Sequence, residues 1–168
     1  DKSTGSYIIS VFSTFAKRYA SLFDSMEALR TMFVGMLSGV DTDQHNVAST
    51  LKLVNWSIKD NYCLITIFIP EIRNDMSKIF YYLYEYENTF PDCVGFNFLD
   101  NILLLIHNDT ESTMMKCYPK LEKLLESHDA VCGVSVPFCS INQLNSQFLN
   151  ARLAIQLGKK DERIRFLK

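Results

Sequence analysis

The chain has 168 residues and a net charge of −2 at pH 7. Its hydrophobic fraction of 48% against 21% charged residues excludes a disordered chain and supplies one sizeable core. The near-neutral balance excludes the global basic field that draws a protein onto nucleic acid or anionic membrane, and no apolar run approaches the roughly 20 residues of a membrane span. The first residue is Asp rather than Met, as expected of an excised fragment whose neighbours carry part of the biology. The five cysteines, Cys63, Cys93, Cys117, Cys132 and Cys139, include no C-x-x-C pair. They predict buried thiols in a reducing cytoplasm and argue against a zinc site. His45, His107 and His128 are isolated in sequence and read as surface or strand-end residues.

Taken along the chain, Ile8, Phe12, Phe15, Tyr19, Leu22, Met26, Leu29, Phe33 and Met36 follow alternating steps of four and three. This is a heptad seam. It predicts either one long helix or a helix broken at Asp24, where Asp24-Ser25-Met26-Glu27 reads as a new cap. Gly39 and Asp41-Thr42-Asp43 end it. A second helix, capped by Asp43, is expected from His45 to Lys59 with Val47, Leu51, Val54 and Ile58 inward. Tyr62 to Ile69 is apolar on both faces and β-branched, a central strand closed by Pro70. Asn74 to Asn88 reads as a helix with Met76, Ile79, Phe80, Leu83 and Tyr84 inward. Cys93 to Phe98 alternates and suits a strand buried on one side only. Leu99-Asp100-Asn101 is a turn, so Ile102 to Ile106, again apolar on both faces, completes a hairpin. A helix follows from Ser112 to Ser127, with Pro119 expected to kink or interrupt it. Val131 to Val136 alternates. The last helix starts at Ser140 with Gln143 in a capping box and stops near Gly158, ahead of a short strand at Ile164 to Leu167.

Strand, helix, strand, strand, helix, strand is the split βαβ order. The expectation is an α+β, ferredoxin-like antiparallel sheet over residues 61–168, with the first and third strands central because they are apolar on both faces. An N-terminal helical, dimerising segment over residues 1–60 precedes it.

Gly133-Val134-Ser135, then Phe138, Ile141, Leu144, Phe148, Ala151, Ala154 and Ile155, resembles the end of the GGDEF-like domain in bacterial transcriptional regulators of the PucR/CdaR type. The pattern there is Gly-hydrophobic-Ser, an aromatic, a helix carrying Ala-x-x-Ala, and a short strand. The stretch from Phe33 through Trp56 to Ile69 is similar to the helical lead-in and first strand of that domain. Gln147 stands where a small residue usually precedes the aromatic. The resemblance implies a relative of the nucleotide-cyclase fold, usually without its activity, between a sensory part and a C-terminal helix-turn-helix that binds DNA. Lys168 falls where that DNA-binding segment would begin.

An active cyclase of this type needs glycines and paired acids near the hairpin. Phe98-Leu99-Asp100-Asn101 has no Gly-Gly and no acidic pair. Asp100 and Glu71 are the two carboxylates that could share a metal there, against the plainer expectation of two solvated turn acids. No G-x-S-x-G occurs, and no cysteine carries a nucleophile signature. The tail Lys159 to Arg165 alternates in charge like a solvated turn rather than a phosphate patch. The expected function is therefore non-catalytic, with no cofactor and no metal. It is a cytoplasmic homodimer joined through Ile8, Phe12, Phe15, Tyr19, Leu22 and Met26, with packing of the same seam within the chain as the equal alternative, and it touches DNA only through a domain outside the chain. The alternative is a sensor that binds a nucleotide or an unidentified small-molecule effector in a groove the sequence does not locate.

Overall fold

The computed structural model describes residues 2–40, 43–73, 75–108 and 111–167, with side chains in the first helix from Ser13 onward. Helix α1 (Lys2–Leu37) runs unbroken through Asp24. Ser25 does not start a new helix; its hydroxyl donates back to the Ser21 carbonyl at 2.9 Å. The end is a Schellman turn: Gly39 adopts φ 73°, and the amides of Gly39 and Val40 return to the carbonyls of Met36 and Gly35. Asp41 and Thr42, also expected to end this helix, lie outside the described residues.

Helix α2 (Gln44–Lys52) starts at Asp43, whose carboxylate accepts from the His45 amide. It stops seven residues earlier than its apolar spacing predicts. Asn55, at φ 61°, closes a second Schellman turn in which the Trp56 amide bonds the Leu51 carbonyl. Val54 and Ile58 still pack against the core, but from the turn rather than from a helix.

Strand β1 (Tyr62–Phe68) leads through a 3-10 turn at Pro70–Arg73 and another at Met76–Lys78 into α3 (Ile79–Glu87). The expected start at Asn74 and the side chain of Met76 lie outside the described residues. The buried face of α3 is Ile79, Tyr82 and Tyr86, with Leu83 beside them. Phe80 and Tyr84, expected inward, are 79% and 71% exposed. The i, i+3, i+7 row of Ile79, Tyr82 and Tyr86 sets the face, and Phe80 and Tyr84 fall on the opposite side.

Strands β2 (Cys93–Phe98) and β3 (Asn101–His107) form a hairpin whose two turn residues, Leu99 and Asp100, both have positive φ (47° and 59°), the two-residue turn that matches strand twist. β2 is covered on both sides at its middle, not on one. Val94 and Phe96 join the cluster under α1, while Gly95 lies beneath Leu83 and Glu87 of α3. Helix α4 (Glu111–Ser127) continues past Pro119 without interruption. Strand β4 (Val131–Val134) precedes a 3-10 turn at Ile141–Gln143, capped by Ser140 through the Asn142 amide. Gln143 makes no capping hydrogen bond to α5 (Leu144–Leu157), and β5 (Ile164–Phe166) follows.

The strand order is β2-β3-β1-β4-β5, which puts β1 and β3 inside and β2 and β4 beyond them. The first four strands are antiparallel to their neighbours, but β5 runs parallel to β4. The sheet is thus mixed, not antiparallel throughout. Helix α5 carries the chain back along the sheet between β4 and β5, and a strand that follows such a crossover returns in the same direction. One face of the sheet, with Ile65, Ile67, Ile102 and Leu104, is covered by α3 and α4. The other, with Leu64, Phe96, Leu103 and Leu105, is covered by the second half of α1, α2 and α5. None of the described helices is long and apolar enough to cross a membrane.

Helix α5 approaches β4 most closely at Gly133. A Cβ there would stand 1.8 Å from the Ala151 carbonyl oxygen, so no larger residue fits without moving the helix. Gly133→Ala is expected to lower stability by roughly 1–3 kcal/mol or more, the range for overpacking a close contact. Gly35→Ala, in the helical interior of α1 where an added methyl meets nothing within 4 Å, should instead raise stability by up to about 1 kcal/mol. Urea denaturation followed through Trp56 measures both.

Candidate functional site

The seam of α1 has two parts. From Met26 on it belongs to the core: Leu29 and Phe33 are fully buried against the sheet, and Met26 packs beside them. Before Met26 the same spacing meets no covering element. Phe15 is 72% exposed, Tyr19 70%, and Leu22 and Phe23 are 57% each. The side chains of Ile8 and Phe12 lie outside the described residues. The apolar surface continues around the helix into a groove of about 820 Å³ between α1 and α3, lined by Phe23, Val34, Phe80, Leu83 and Tyr84. Exposed Phe80 and Tyr84 thus adjoin the exposed half of the seam.

A polar clamp fixes α1 just below this surface. The Arg30 guanidinium donates to the Gly95 carbonyl at 2.8 Å, to both Glu87 carboxylate oxygens at 3.1 Å and to Glu27 at 2.5 Å. Glu87 in turn accepts from the Gly95 amide at 2.8 Å. Both outward backbone groups of Gly95 on the edge strand β2 are therefore satisfied, which removes a point at which another strand could add. Burial works against the charge on Arg30, but the hydrogen bonds and charges of Glu27 and Glu87 outweigh it and raise its pKa.

Glu71 and Asp100 are not brought together on one ligand. Glu71 accepts from Lys78 and from the Tyr82 hydroxyl, on the α3 side of the sheet. These bonds, Lys78 first, hold its carboxyl below the usual range. Asp100 lines a groove of about 220 Å³ with Asn101, Arg152 and Gln156, on the α5 side. Among the described residues no group of three or more His, Cys, Asp or Glu side chains is placed to hold a metal ion. The charged tail is also engaged: Arg163 donates to the Ala130 carbonyl at 3.0 Å, and Arg165 donates to the carbonyls of Ile155 and Glu162.

A polar cluster around the buried His107, with Asp60 half-buried and Asp92 exposed, sits where sequence spacing marks nothing. His107 ends β3 and is buried, not at the surface. Its Nδ1 lies 2.5 Å from an Asp92 oxygen and its Nε2 lies 2.8 Å from an Asp60 oxygen. The Trp56 indole stacks on the imidazole with centroids 4.5 Å apart and donates to the other Asp92 oxygen at 3.0 Å. The cluster ties the α2–β1 connection to the β2–β3 hairpin. The signal for it is a histidine that directly follows the wholly apolar run Ile102 to Ile106, since a buried histidine requires partners. Of the cysteines, Cys63 and Cys132 are buried and Cys139 is exposed. Burial pushes the Cys132 thiol well above the usual range.

Asp92→Ala takes the acceptor from both Trp56 and His107 and should cost about 1–2 kcal/mol. Asp92→Asn keeps an acceptor for the indole and tolerates the φ of 45° at this position, so it should cost less. The fluorescence of the single tryptophan reads both.

Tyrosines held in their protonated form by the fold bear on alkaline stability. Burial raises Tyr62 and Tyr86, and the hydrogen bond to Glu71 raises Tyr82 to about 12. In the unfolded chain they ionise near about 10. Above that pH the folded state holds more protons than the unfolded one, so stability should fall as pH rises from about 10 toward 12. Urea midpoints across this window, with tyrosine absorbance as a second signal, check the sign. The chain matches no known protein-family model and no curated protein.

Proposed function

We propose that this chain is a non-catalytic regulatory domain, GGDEF-like, of a cytoplasmic bacterial transcription regulator of the PucR/CdaR type. It dimerises through α1 and relays a signal toward a DNA-binding segment outside the chain. The observation that carries this is the exposed half of the seam. Phe15, Tyr19 and Leu22 keep core spacing with no core to enter, on a helix whose other half is locked into the sheet. A second α1 in parallel places each of these residues beside its own copy, the self-complementary contact of a two-fold dimer. Because α1 continues without a break into the core, a change of packing along the seam reaches the sheet through Leu29 and Phe33.

The strand order supports the fold part of the proposal. With α3 and α4 between them, β2-β3-β1-β4 follows the split βαβ, ferredoxin-like arrangement on which cyclase relatives are built. The hairpin corner supports the non-catalytic part. Glu71 is neutralised by Lys78 and bonded by Tyr82, and Asp100 shares its groove with Arg152, so the two acids present no joint site for a metal and its triphosphate.

Wild-type protein is expected to sediment as a dimer, with Tyr19→Glu and Leu22→Glu shifting it to monomer without loss of the Trp56 signal of the folded domain. Leu22→Cys should cross-link to itself under mild oxidation if the helices are parallel. A wild-type monomer at the highest soluble concentration would overturn the proposal.

A further inference from the structure

A second feature lies at the opposite end of the sheet from the hairpin. It is a cavity of about 600 Å³ between α4 and the ends of β1, β4 and β5. Cys63, Met114 and Val134, all buried, line it together with Tyr118 and Phe166. The two rings meet edge to face at 5.9 Å. Its volume falls in the range of small-molecule sites, about 300–1,000 Å³. Three of the exposed large apolar residues of the protein, Met115, Val136 and Phe166, gather on this one rim at 63%, 52% and 49% exposure. Apolar surface left open around a concave apolar site is covered when a ligand enters.

The lining determines the class of ligand. Among the described residues that form it there is no Lys, Arg, His, Asp or Glu. A phosphate or carboxylate placed here would lose its water and gain no counter-charge from these described residues. The Ser135 hydroxyl is already committed, accepting from the Leu64 amide at 3.0 Å and donating to the Val136 carbonyl at 2.9 Å. Asn61, exposed at the mouth, is a polar side chain placed to orient an occupant. The paired thioethers of Met114 and Met115 and the two rings favour an aromatic guest, since sulfur and ring edges pack well against π faces.

We infer that this cavity binds an uncharged, largely apolar small molecule with an aromatic ring, and that nucleotides are excluded from it. The inference stands whether or not α1 dimerises, and its test does not read the oligomeric state. The probe is N-phenyl-1-naphthylamine, a neutral apolar fluorophore, with its sulfonated relative 1-anilinonaphthalene-8-sulfonate as the charged control. The neutral probe should bind saturably, one per chain, and more tightly than the sulfonate. Met115→Glu and Val136→Glu, both at exposed rim positions, should weaken it by about tenfold or more, because each sets a carboxylate beside the ring. Phe80→Glu, on the separate aromatic surface of α3, should leave it unchanged. Circular dichroism of each variant confirms that the fold is kept. Non-saturating binding, equal affinity for the sulfonate, or loss through Phe80→Glu but not Met115→Glu would overturn the inference.

Discussion

Strands β1 and β3 are apolar on both faces, and the arrangement of the molecule follows from the need to cover them twice. Every residue of β3 is buried, as are all but the last of β1. Each apolar side chain so placed contributes about 1.5–3 kcal/mol relative to exposure. Strands covered along nearly their whole length on both faces take the middle, so β1 and β3 pair with each other and β2 and β4 lie on either side of them. Two helical layers are then obligatory. Helices α3 and α4 supply one, and α1, α2 and α5 the other.

The second layer sits close because of a few residues that carry the family resemblance and act mechanically. Gly133 admits the Ala151 carbonyl to a distance no side chain permits. Two residues on, β4 leaves its regular ladder. The Ser135 amide bonds the Leu64 carbonyl at 2.8 Å, and its hydroxyl takes the Leu64 amide in place of a backbone carbonyl. Pairing resumes at Phe138, which exchanges both backbone hydrogen bonds with Tyr62. Glycine, serine and aromatic thus hold one irregular strand end against β1 while α5 presses on it. Their spacing needs no catalytic explanation.

What the sequence revealed and what it hid divide along this line. The central strands were legible because burial on both faces leaves almost every position apolar, with Thr66 the one polar residue inside the two runs. The hairpin was legible because Leu99-Asp100-Asn101 interrupts two apolar runs. The early stop of α2 was hidden because Val54 and Ile58 keep helical spacing after Asn55 has already turned the chain. The buried face of α3 was misjudged because its residues are apolar or aromatic nearly all round, so periodicity does not choose between Phe80 and Tyr82. The direction of β5 depends on the path of α5 across the sheet, a tertiary fact. The cluster at His107 joins Trp56 and Asp60 from one connection and Asp92 from another, and no local pattern links them.

The two fates of the α1 seam come down to length. At 1.5 Å per residue a 36-residue helix extends about 54 Å. The strands it packs on have six or seven residues, about 20–23 Å at their rise of about 3.3 Å. A straight helix anchored on that sheet at Leu29 and Phe33 has to outrun it, and the overhang carries Phe15, Tyr19 and Leu22. The Arg30 clamp stands near the point of departure, holding the helix to Glu87 and Gly95 at the sheet edge. Apolar spacing alone does not distinguish the covered half from the uncovered one, since both repeat by four and three. The reach of the sheet does, and it leaves Phe15, Tyr19 and Leu22 exposed.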